Sequence, residues 1–395
     1  MKTARAAKNS STKPSLPYSS RLLSYFKERN ADIVQTIRQL VELESPSDVK
    51  QAVDRLGTIL TGRFEELGGK VRIHRAEKYG NHLQMDFAGA QKAKPVLLLG
   101  HMDTVYPIGT ISRMPCREVK DRLWGPGVLD MKSGIALMLA AIEGLLSEGK
   151  LPRPVTVLLV SDEEVGSPSS RKITESLARK SSAVFVLEPA YGLHGAVKTS
   201  RKGVGEYTIR VTGKAAHSGL DFDKGQSAIL ELARQINAIS NFVDPSHGLT
   251  LNVGVVRGGT KVNVVPGSAE ALIDVRITRE ADGARIDRKL RALRPFNKKC
   301  RIEIHGGINR PPMERTAGVA ALYKQAAKIA KDLGWALQEA SVGGGSDGNF
   351  TTALGIPTLD GLGGVGEGAH AEHEHVVISE LPKRAALLAS LIAQA

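Results

Sequence analysis

The feature that most constrains the fold is a set of short apolar segments, each followed directly by acidic or histidine residues. The apolar segments are 95–99, 154–160 and 183–187, and the polar residues that follow them are His101, Asp103, Asp162, Glu163, Glu164 and Glu188. Each segment has the length and composition of a buried parallel strand, and helical patterns lie between them. Because open α/β sheets bind ligands at the carboxyl ends of their strands, the pattern predicts a mostly parallel sheet with one shared crevice.

A carboxylate from a different part of the chain is expected in the same crevice. Asp130 follows a Gly-Pro-Gly turn and precedes a helical stretch rich in Ala, Leu and Met over 134–146. His101 and Asp103 are two residues apart, so in extended chain their side chains face the same way. Taken alone, the acidic triplet 162–164 is typical of a solvated loop. Carboxylates crowded in this way repel one another unless a cation lies among them, so the combination favours a divalent metal site.

The periodic patterns divide the chain into an α/β domain interrupted by a second domain. We predict that the first domain comprises residues 21–201 and 309–395. The intervening residues 202–308 follow the order β-α-β-β-α-β, which is the ferredoxin-like arrangement. About a hundred residues are enough for such a domain to fold by itself. The predicted fold class is therefore α/β, a mostly parallel sheet flanked by helices, with an inserted ferredoxin-like α+β domain.

About half of the net charge of +13 lies near the N-terminus. Residues 1–30 contain seven Lys and Arg but only one acidic residue, Glu28. Residues 1–20 are rich in Lys, Ser and Pro and lack an apolar core, so we expect a disordered basic tail rather than a secretory signal. The remaining positive charge is dispersed without interleaved aromatic residues, and nucleic-acid binding is not expected.

The two cysteines and the hydropathy pattern indicate the compartment. Cys116 and Cys300 provide no disulfide framework, which favours a cytoplasmic protein. No apolar run approaches the roughly 20 residues that a membrane span requires, so no membrane association is expected.

Eight short motifs occur in a characteristic order between about Asp32 and the C-terminus. They are Gly100-His101-Met102-Asp103-Thr104, Gly125-Pro126-Gly127 with Asp130-Met131-Lys132-Ser133, Ser161-Asp162-Glu163-Glu164, Leu187-Glu188-Pro189, Gly213-Lys214-Ala215-Ala216-His217-Ser218-Gly219, Asn263-Val264-Val265-Pro266, Asp274-Val275-Arg276 and Gly343-Gly344-Gly345-Ser346-Asp347. The ordered set resembles the M20 metallopeptidases, in particular their glutamate carboxypeptidase (carboxypeptidase G-type) branch. The resemblance implies a zinc-peptidase-like catalytic domain and an inserted lid or dimerisation domain.

The resemblance also implies two zinc ions, with cobalt or manganese as alternatives. Asp130 would bridge the two ions. His101 and Glu188 would complete one site, and Glu164 and His370 the other.

The tract that contains His370 carries two further histidines. His373 and His375 are expected to be exposed residues of a loop or strand edge, although an accessory surface metal site remains an alternative. The resemblance further implies a cis peptide bond between Asp130 and Met131.

Three residues are expected to act in the reaction. Glu163 resembles the general base that takes a proton from a water molecule between the metals and returns it to the leaving nitrogen. Asp103 would fix the tautomer of the His101 imidazole. His217 would stabilise the oxyanion, reaching the active site of the partner subunit across a homodimer formed by the inserted domain.

The resemblance assigns further residues to the substrate. Arg276 resembles a clamp for a substrate α-carboxylate, because a guanidinium binds carboxylates in a bidentate manner. The other residues expected to line this pocket are Asn263, Arg310, Gly344, Gly345 and Ser346.

The predicted activity is hydrolysis of an amide bond that releases a C-terminal amino acid from a small peptide or an N-acyl amino acid. An alternative is an N-acyl-amino-acid deacylase of the acetylornithine or succinyl-diaminopimelate type. A third hypothesis, from a different class, is a small-molecule binding protein without activity. Glu163 argues against that last reading, because a metal site that only binds has no need of a free carboxylate there.

Overall fold

The computed structural model describes residues 18–395. Its helices are α1 (Tyr18–Glu28), α2 (Asn30–Val41), α3 (Lys50–Glu66), α4 (Thr110–Arg113), α5 (Ser133–Ser147), α6 (Arg171–Lys180), α7 (Ala228–Ser240), α8 (Glu280–Arg291), α9 (Ala317–Asp332), α10 (Gly348–Ala353) and α11 (Leu381–Gln394). Positions 1–17 of the predicted basic tail, 1–20, lie outside the described residues. Its last three residues belong to α1, so the predicted boundary extends too far into the chain.

The strands form one large sheet, one smaller sheet and several short pairings. They are β1 (Lys70–His74), β2 (His82–Phe87), β3 (Val96–His101), β4 (Arg117–Val119), β5 (Arg122–Trp124), β6 (Val155–Val160), β7 (Ala183–Val186), β8 (Val197–Arg201), β9 (Gly203–Thr212), β10 (Ala216–His217), β11 (Thr250–Gly258), β12 (Val264–Val265), β13 (Ser268–Ile277), β14 (Arg301–Arg310), β15 (Glu339–Val342), β16 (Thr358–Leu359), β17 (Gly366–Glu367) and β18 (His375–Val377).

The large sheet has the strand order β1-β2-β6-β3-β7-β16. The strands from β6 to β16 pair in parallel, whereas β1 and β2 add an antiparallel edge. Alternate residues of β3 pack against opposite layers: Val96 and Leu98 join the core that includes α5 and α11, and Leu97 and Leu99 join the core beside α6. Both faces are therefore covered, and the predicted mostly parallel sheet flanked by helices is confirmed.

The inserted domain has a four-stranded antiparallel sheet in the order β11-β13-β9-β14. Helices α7 and α8 cover one face, and alternate residues of β9 and β13 fill the core between them. The chain order β9-α7-β11-β13-α8-β14 is the predicted ferredoxin-like arrangement. The last strand, β14, continues to Arg310, two residues past the predicted end of the segment.

Within residues 18–395, no helix has both the length and the apolar character that crossing a bilayer requires.

Candidate metal centre

His101 lies at the carboxyl end of the central strand β3, and both of its ring nitrogens have defined partners. Nδ1 is 2.9 Å from the backbone oxygen of Asp103 and 3.6 Å from its carboxylate. A proton on Nδ1 can therefore be donated to this carbonyl oxygen, which leaves the Nε2 lone pair free. Nε2 faces two carboxylates, at 3.1 Å from Asp130 Oδ1 and 3.4 Å from Glu188 Oε1.

Asp130 faces one imidazole with each carboxylate oxygen. It lies in the short irregular turn Val128–Lys132 before α5, and the peptide bond to Met131 is cis, as the resemblance implied. While Oδ1 faces His101, Oδ2 is 3.5 Å from Nε2 of His370. This is the arrangement expected of a carboxylate that bridges two cations.

His370 and Glu164 complete the cluster on the other side of Asp130. His370 Nε2 is 3.2 Å from Glu164 Oε1, and the imidazole is half-exposed. The structure thus brings together the five residues that the sequence analysis selected as ligands, which are His101, Asp130, Glu164, Glu188 and His370. Groups of ligand atoms from His101, Asp130 and Glu164, and from His101, Glu163 and Glu188, lie within 4.8 Å of one another.

The electrostatics of the cluster fit divalent cations. Burial alone would lower the pKa of His101, but the carboxylates of Asp130 and Glu188 raise it well above its usual value. Hydrogen bonds to Asp130 and Glu164 raise the pKa of His370 to about 10. Burial opposes ionisation of Asp130, yet the two imidazoles hold its pKa far below the usual range. In the metal-free chain two protonated imidazoles offset only part of the charge of three carboxylates, and this N/O donor set suits zinc or a similar ion.

Glu163 adjoins the cluster and is paired with an arginine of the inserted domain. Its Oε1 lies 2.9 Å from Nη2 of Arg310, at the end of β14. Burial raises the pKa of Glu163 well above its usual range, even though the nearby guanidinium lowers it. Arg310 also donates to Asp347 and to Ser167, so its guanidinium is occupied by protein acceptors and not free for a substrate.

Asp103 supports the cluster in a different way from the one predicted. Its backbone oxygen, not primarily its carboxylate, orients the imidazole of His101. The carboxylate instead accepts hydrogen bonds from the Ser47 hydroxyl at 2.7 Å and from the backbone N–H groups of Glu163 and Glu164. Burial raises the pKa of Asp103 to about 6. The side chain therefore fixes the loop that carries Glu163 and Glu164.

Arg201 is a buried cation of the site that the sequence analysis did not identify. Its guanidinium binds both oxygens of Asp360, at 2.7 and 2.9 Å, and Glu188 Oε2 at 3.2 Å. Glu188 therefore faces His101 with one oxygen and Arg201 with the other. The sequence feature that could have identified Arg201 is its position at the end of a strand that begins shortly after Glu188.

Glu374 is a second residue that the sequence analysis missed. This fully buried carboxylate accepts hydrogen bonds from the backbone N–H groups of Gly127, Leu129 and Asp130 at 2.8 to 3.1 Å, and from the hydroxyl of Tyr106 at 2.6 Å. Burial raises its pKa to about 7. Glu374 thus anchors the turn that presents Asp130. No sequence motif marks Glu374, which lies among three histidines that are more typical metal ligands.

His373 is exposed, as predicted, but the prediction for His375 was wrong. His375 is buried in β18, and its ring packs on Trp124 with the ring centroids 4.6 Å apart. The hairpin β4–β5 covers it, because β18 pairs with β5.

Three predicted residues of the inserted domain lie apart from the cluster. His217 and Asn263 are exposed on the small ribbon formed by β10 and β12, where Ser218 N–H donates to the Asn263 carbonyl oxygen. Arg276 is partly buried, and its Nε donates to Asp274 at 2.9 Å. No hydrogen bond or ion pair joins these three side chains to the five predicted ligands within residues 18–395.

The glycine-rich loop before α10 is anchored to the site through Arg201. The carbonyl oxygens of Gly344 and Gly345 accept hydrogen bonds from its Nη1 at 3.1 and 3.2 Å. Ser346 is buried, with its hydroxyl bound to Asp360 and its N–H bound to Asn349. Of the three predicted loop residues, only Gly344 is exposed, and Gly345 is partly so.

Comparison with known protein families yields one family model. The model described as peptidase family M20/M25/M40 matches residues 97–394, which include all five clustered residues.

Two curated relatives illustrate the range of activities among similar proteins. Carboxypeptidase G2 of Pseudomonas sp. (strain RS-16) is 29% identical over 368 residues, which cover 91% of this chain and 88% of that protein. Acetylornithine deacetylase of Salmonella paratyphi B (strain ATCC BAA-1250 / SPB7) is 28% identical over 263 residues, covering 62% of this chain and 67% of that protein.

Solved structures share the fold at lower sequence identity. Aminopeptidase PepT from Bacillus cereus ATCC 10987 superposes with a TM-score of 0.78 at 22% identity, covering 92% of this chain and 98% of that one. The YXEP protein of Bacillus subtilis, described as a dinuclear metal-binding peptidase, superposes with a TM-score of 0.68 at 16% identity, covering 93% and 98%.

Proposed function

The chain belongs to peptidase family M20/M25/M40 and is a metal-dependent hydrolase of that family, and we propose that it cleaves an amide bond to release a C-terminal amino acid from a peptide or an N-acyl amino acid. The observation that carries the proposal is the convergence of two imidazoles and three carboxylates around Asp130, beside the partly buried Glu163. Carboxypeptidase G2, the relative that matches 91% of this chain, supports the carboxypeptidase branch.

We propose that this cluster holds two cations, with zinc the best match to the donors. Asp130 would bind both cations, because its two oxygens face opposite imidazoles. His101 and Glu188 would bind one cation, and His370 and Glu164 the other. When bound, two such cations lower the pKa of a water molecule and stabilise the negative charge that develops on the carbonyl oxygen.

Glu163 would act as the general base. Its carboxylate lies beside the cluster and is held by Arg310 at 2.9 Å, which fixes its position without occupying both oxygens. It would accept a proton from the attacking water and then donate that proton to the nitrogen of the leaving amino acid. Asp103 would keep Glu163 in place by accepting a hydrogen bond from its backbone N–H.

Arg276 is proposed as the clamp for the carboxylate of the released amino acid. Arg276 and Arg310 both pair with Val204 of β9 across the lid sheet, so they share one sheet face and lie about two strand spacings apart, roughly 10 Å. Arg310 is already bound to Glu163 and Asp347, whereas within residues 18–395 Arg276 pairs only with the partly exposed Asp274. Replacing Arg276 by Ala should raise KM for substrates with a free carboxylate, but not for the same substrates with that carboxylate amidated.

A homodimer is proposed to complete the site. Strand β11 is an open edge of the lid sheet, and Val256 on it and Leu230 on the adjacent helix α7 are more than half exposed. A second copy that covers this apolar edge would bring its own ribbon, with His217 and Asn263, toward the cluster. The two free cysteines are in keeping with a cytoplasmic location, which we also propose.

The neighbouring residues Glu163 and Glu164 provide the test of the mechanism. Glu163→Gln should lower kcat by about 10²- to 10⁴-fold, the usual contribution of a general base, while metal content remains that of the native protein. Glu164→Gln, its matched control, should lower metal content as well. Retained turnover in Glu163→Gln would exclude this residue as the base.

Mixing two inactive variants tests the dimer. Glu163→Gln and His217→Ala should each be inactive alone. If His217 acts in the partner's site, mixed dimers contain one site with an intact Glu163 and an intact partner His217, and activity should return. If the subunits are shown to exchange and the mixture stays inactive, His217 does not act in the partner's site.

The deacylase alternative is favoured by the similarity to acetylornithine deacetylase. A panel of dipeptides and N-acyl amino acids that share one C-terminal residue separates the two activities by their kcat/KM values.

A further inference from the structure

A large cavity adjoins the cluster on the side of the α/β domain. Its volume is about 690 Å³, within the range of pockets that hold small organic ligands. His370 forms part of its wall, so the cavity opens directly beside the predicted metal ligands. Apart from His370 and Glu372, the wall comes from the segment between β3 and α5 and includes Tyr106, Trp124 and residues of α4. None of the residues assigned above to substrate binding lines it.

The wall carries two arginines without acidic partners. Arg113 and Arg117 both line the cavity and are exposed. Within residues 18–395, neither forms an ion pair shorter than 4.0 Å, although most other arginines around the site are paired. The guanidinium of Arg117 lies 5.7 Å from the centre of the Trp124 ring, which holds it over a flat apolar surface. The acidic residue of the wall, Glu372, offsets only one of the two charges.

The cavity and the proposed carboxylate clamp lie on different domains. Arg276 belongs to the sheet of the inserted domain, whereas every residue of the cavity wall belongs to the α/β domain. A substrate whose released amino acid contacts Arg276 and whose scissile bond lies at the cluster would therefore direct its acyl group away from the lid. The cavity beside His370 is the space that such an acyl group would enter.

We propose that this cavity selects acyl groups that carry a second carboxylate at their far end, which Arg113 and Arg117 bind. The proposal rests on the proposed function, since it assigns the other half of the same substrate. The substrate class is then an N-acyl amino acid derived from a dicarboxylic acid. Hydrolysis breaks the amide C–N bond: the oxygen of water bonds to the acyl carbon, its proton passes to the leaving nitrogen, and the products are a dicarboxylic acid and an amino acid.

Matched substrates test this selection. N-succinyl-glutamate is compared with N-butanoyl-glutamate, and N-(4-carboxybenzoyl)-glutamate with N-benzoyl-glutamate, because each pair differs only in the distal carboxylate. The native enzyme should prefer the anionic member of each pair about tenfold in kcat/KM, the order expected for two partly solvated ion pairs. The variant Arg113→Gln/Arg117→Gln should lose that preference, while its activity on the neutral members stays near native.

Two controls separate this inference from the proposed function. Arg55→Gln changes an exposed arginine of α3 and should keep the preference. Binding of terephthalate and of benzoate to Glu163→Gln, measured by calorimetry, reports on the cavity without turnover, and terephthalate should bind more tightly only while Arg113 and Arg117 are present. If all four amides resist hydrolysis but this binding preference holds, the proposed function fails and the cavity assignment stands. If the amides are hydrolysed with no anionic preference, or the double variant keeps the preference, the cavity assignment is wrong and the proposed function stands.

Discussion

Replacing Arg201 by Met removes the cation that links the sheet, the glycine-rich loop and a predicted metal ligand. Arg201 is only 3% exposed. Its guanidinium donates to Asp360, Glu188, Gly344 and Gly345. Met fills a similar volume but leaves the buried carboxylate of Asp360 without its ion-pair partner, and within residues 18–395 it leaves Glu188 paired with His101 alone. The hydroxyl of Ser346, in the glycine-rich loop, would still donate a hydrogen bond to Asp360.

The size of the effect follows from what remains after the substitution. Breaking a buried ion pair by removing one partner typically costs 3–5 kcal/mol, because the other charge stays buried and uncompensated. Arg201→Met should therefore lower the free energy of unfolding by about 3–5 kcal/mol. Glu188 loses the contact that orients it, so metal affinity should fall as well, by about 10- to 100-fold, as for other residues that hold a ligand in place. The double variant Arg201→Met/Asp360→Asn should recover part of the stability but not the metal affinity.

Denaturant unfolding followed by circular dichroism, together with metal titration of the chelated protein, measures both quantities. Arg315→Met is the matched control, because Arg315 also binds a carboxylate with two nitrogens, those of Glu339 at 2.7 and 2.9 Å, but is exposed. The control should unfold close to the native protein and keep its metal affinity. If Arg201→Met loses less than about 1 kcal/mol, the idea that Arg201 compensates buried charge is refuted. If stability falls but metal affinity does not, its orienting effect on Glu188 is refuted.

Three further perturbations have defined outcomes. Glu374→Gln replaces two acceptor oxygens by one and should weaken metal binding about 10- to 100-fold with unchanged ligands, measured by competition with a chelator; unchanged affinity would contradict its anchoring of Asp130. In the metal-free protein the pKa values of His101 and His370 are raised, so both imidazoles hold protons that a metal must displace. Metal affinity should therefore increase with pH near neutrality, and calorimetry in buffers of different ionisation enthalpy should detect proton release. Burial lowers the pKa of His82 below 6.5, so its neutral form stabilises the fold above that pH and this stability is lost as the pH falls. His82→Asn should give a flatter dependence of the free energy of unfolding between pH 7 and 5, and an unchanged slope would exclude His82 as the source.

The pattern of alternating strands and helices was enough to predict the main architecture, because it depends on short-range periodicity. Helix α1 was missed because its stability comes from a distant part of the chain. Leu22 and Phe26 are almost fully buried, and α1 packs against α11 and α5. A short segment with basic neighbours gives little local evidence of such a contact, so the predicted tail extended into it.

The ligand cluster was predictable for a related reason. Each ligand except His370 follows a recognisable strand end or turn, and acidic residues at the same edge of a sheet must lie close together. The supporting contacts were not predictable, because they join residues far apart in sequence. Glu374 accepts the N–H of Asp130 across 244 positions, and Arg201 reaches Asp360 across 159. Periodicity carries no information about such pairs, and the buried position of His375 likewise depends on the distant hairpin that covers it.

The two points where the chain passes between domains are also the two points where an arginine enters the site. Arg201 is the last residue of β8, directly before the inserted domain, and Arg310 is the last residue of β14, the strand with which that domain ends. Arg201 binds Glu188, a predicted metal ligand, and Arg310 binds Glu163, the proposed base. Both guanidiniums are buried, so each crossing is held by ion pairs that are costly to break. A rotation of the inserted domain that moved either crossing would have to displace a carboxylate of the site. The orientation of the inserted domain is therefore coupled to the positions of Glu163 and Glu188 through these two side chains, and Asn309, next to Arg310, adds a hydrogen bond to the carbonyl oxygen of Gly166.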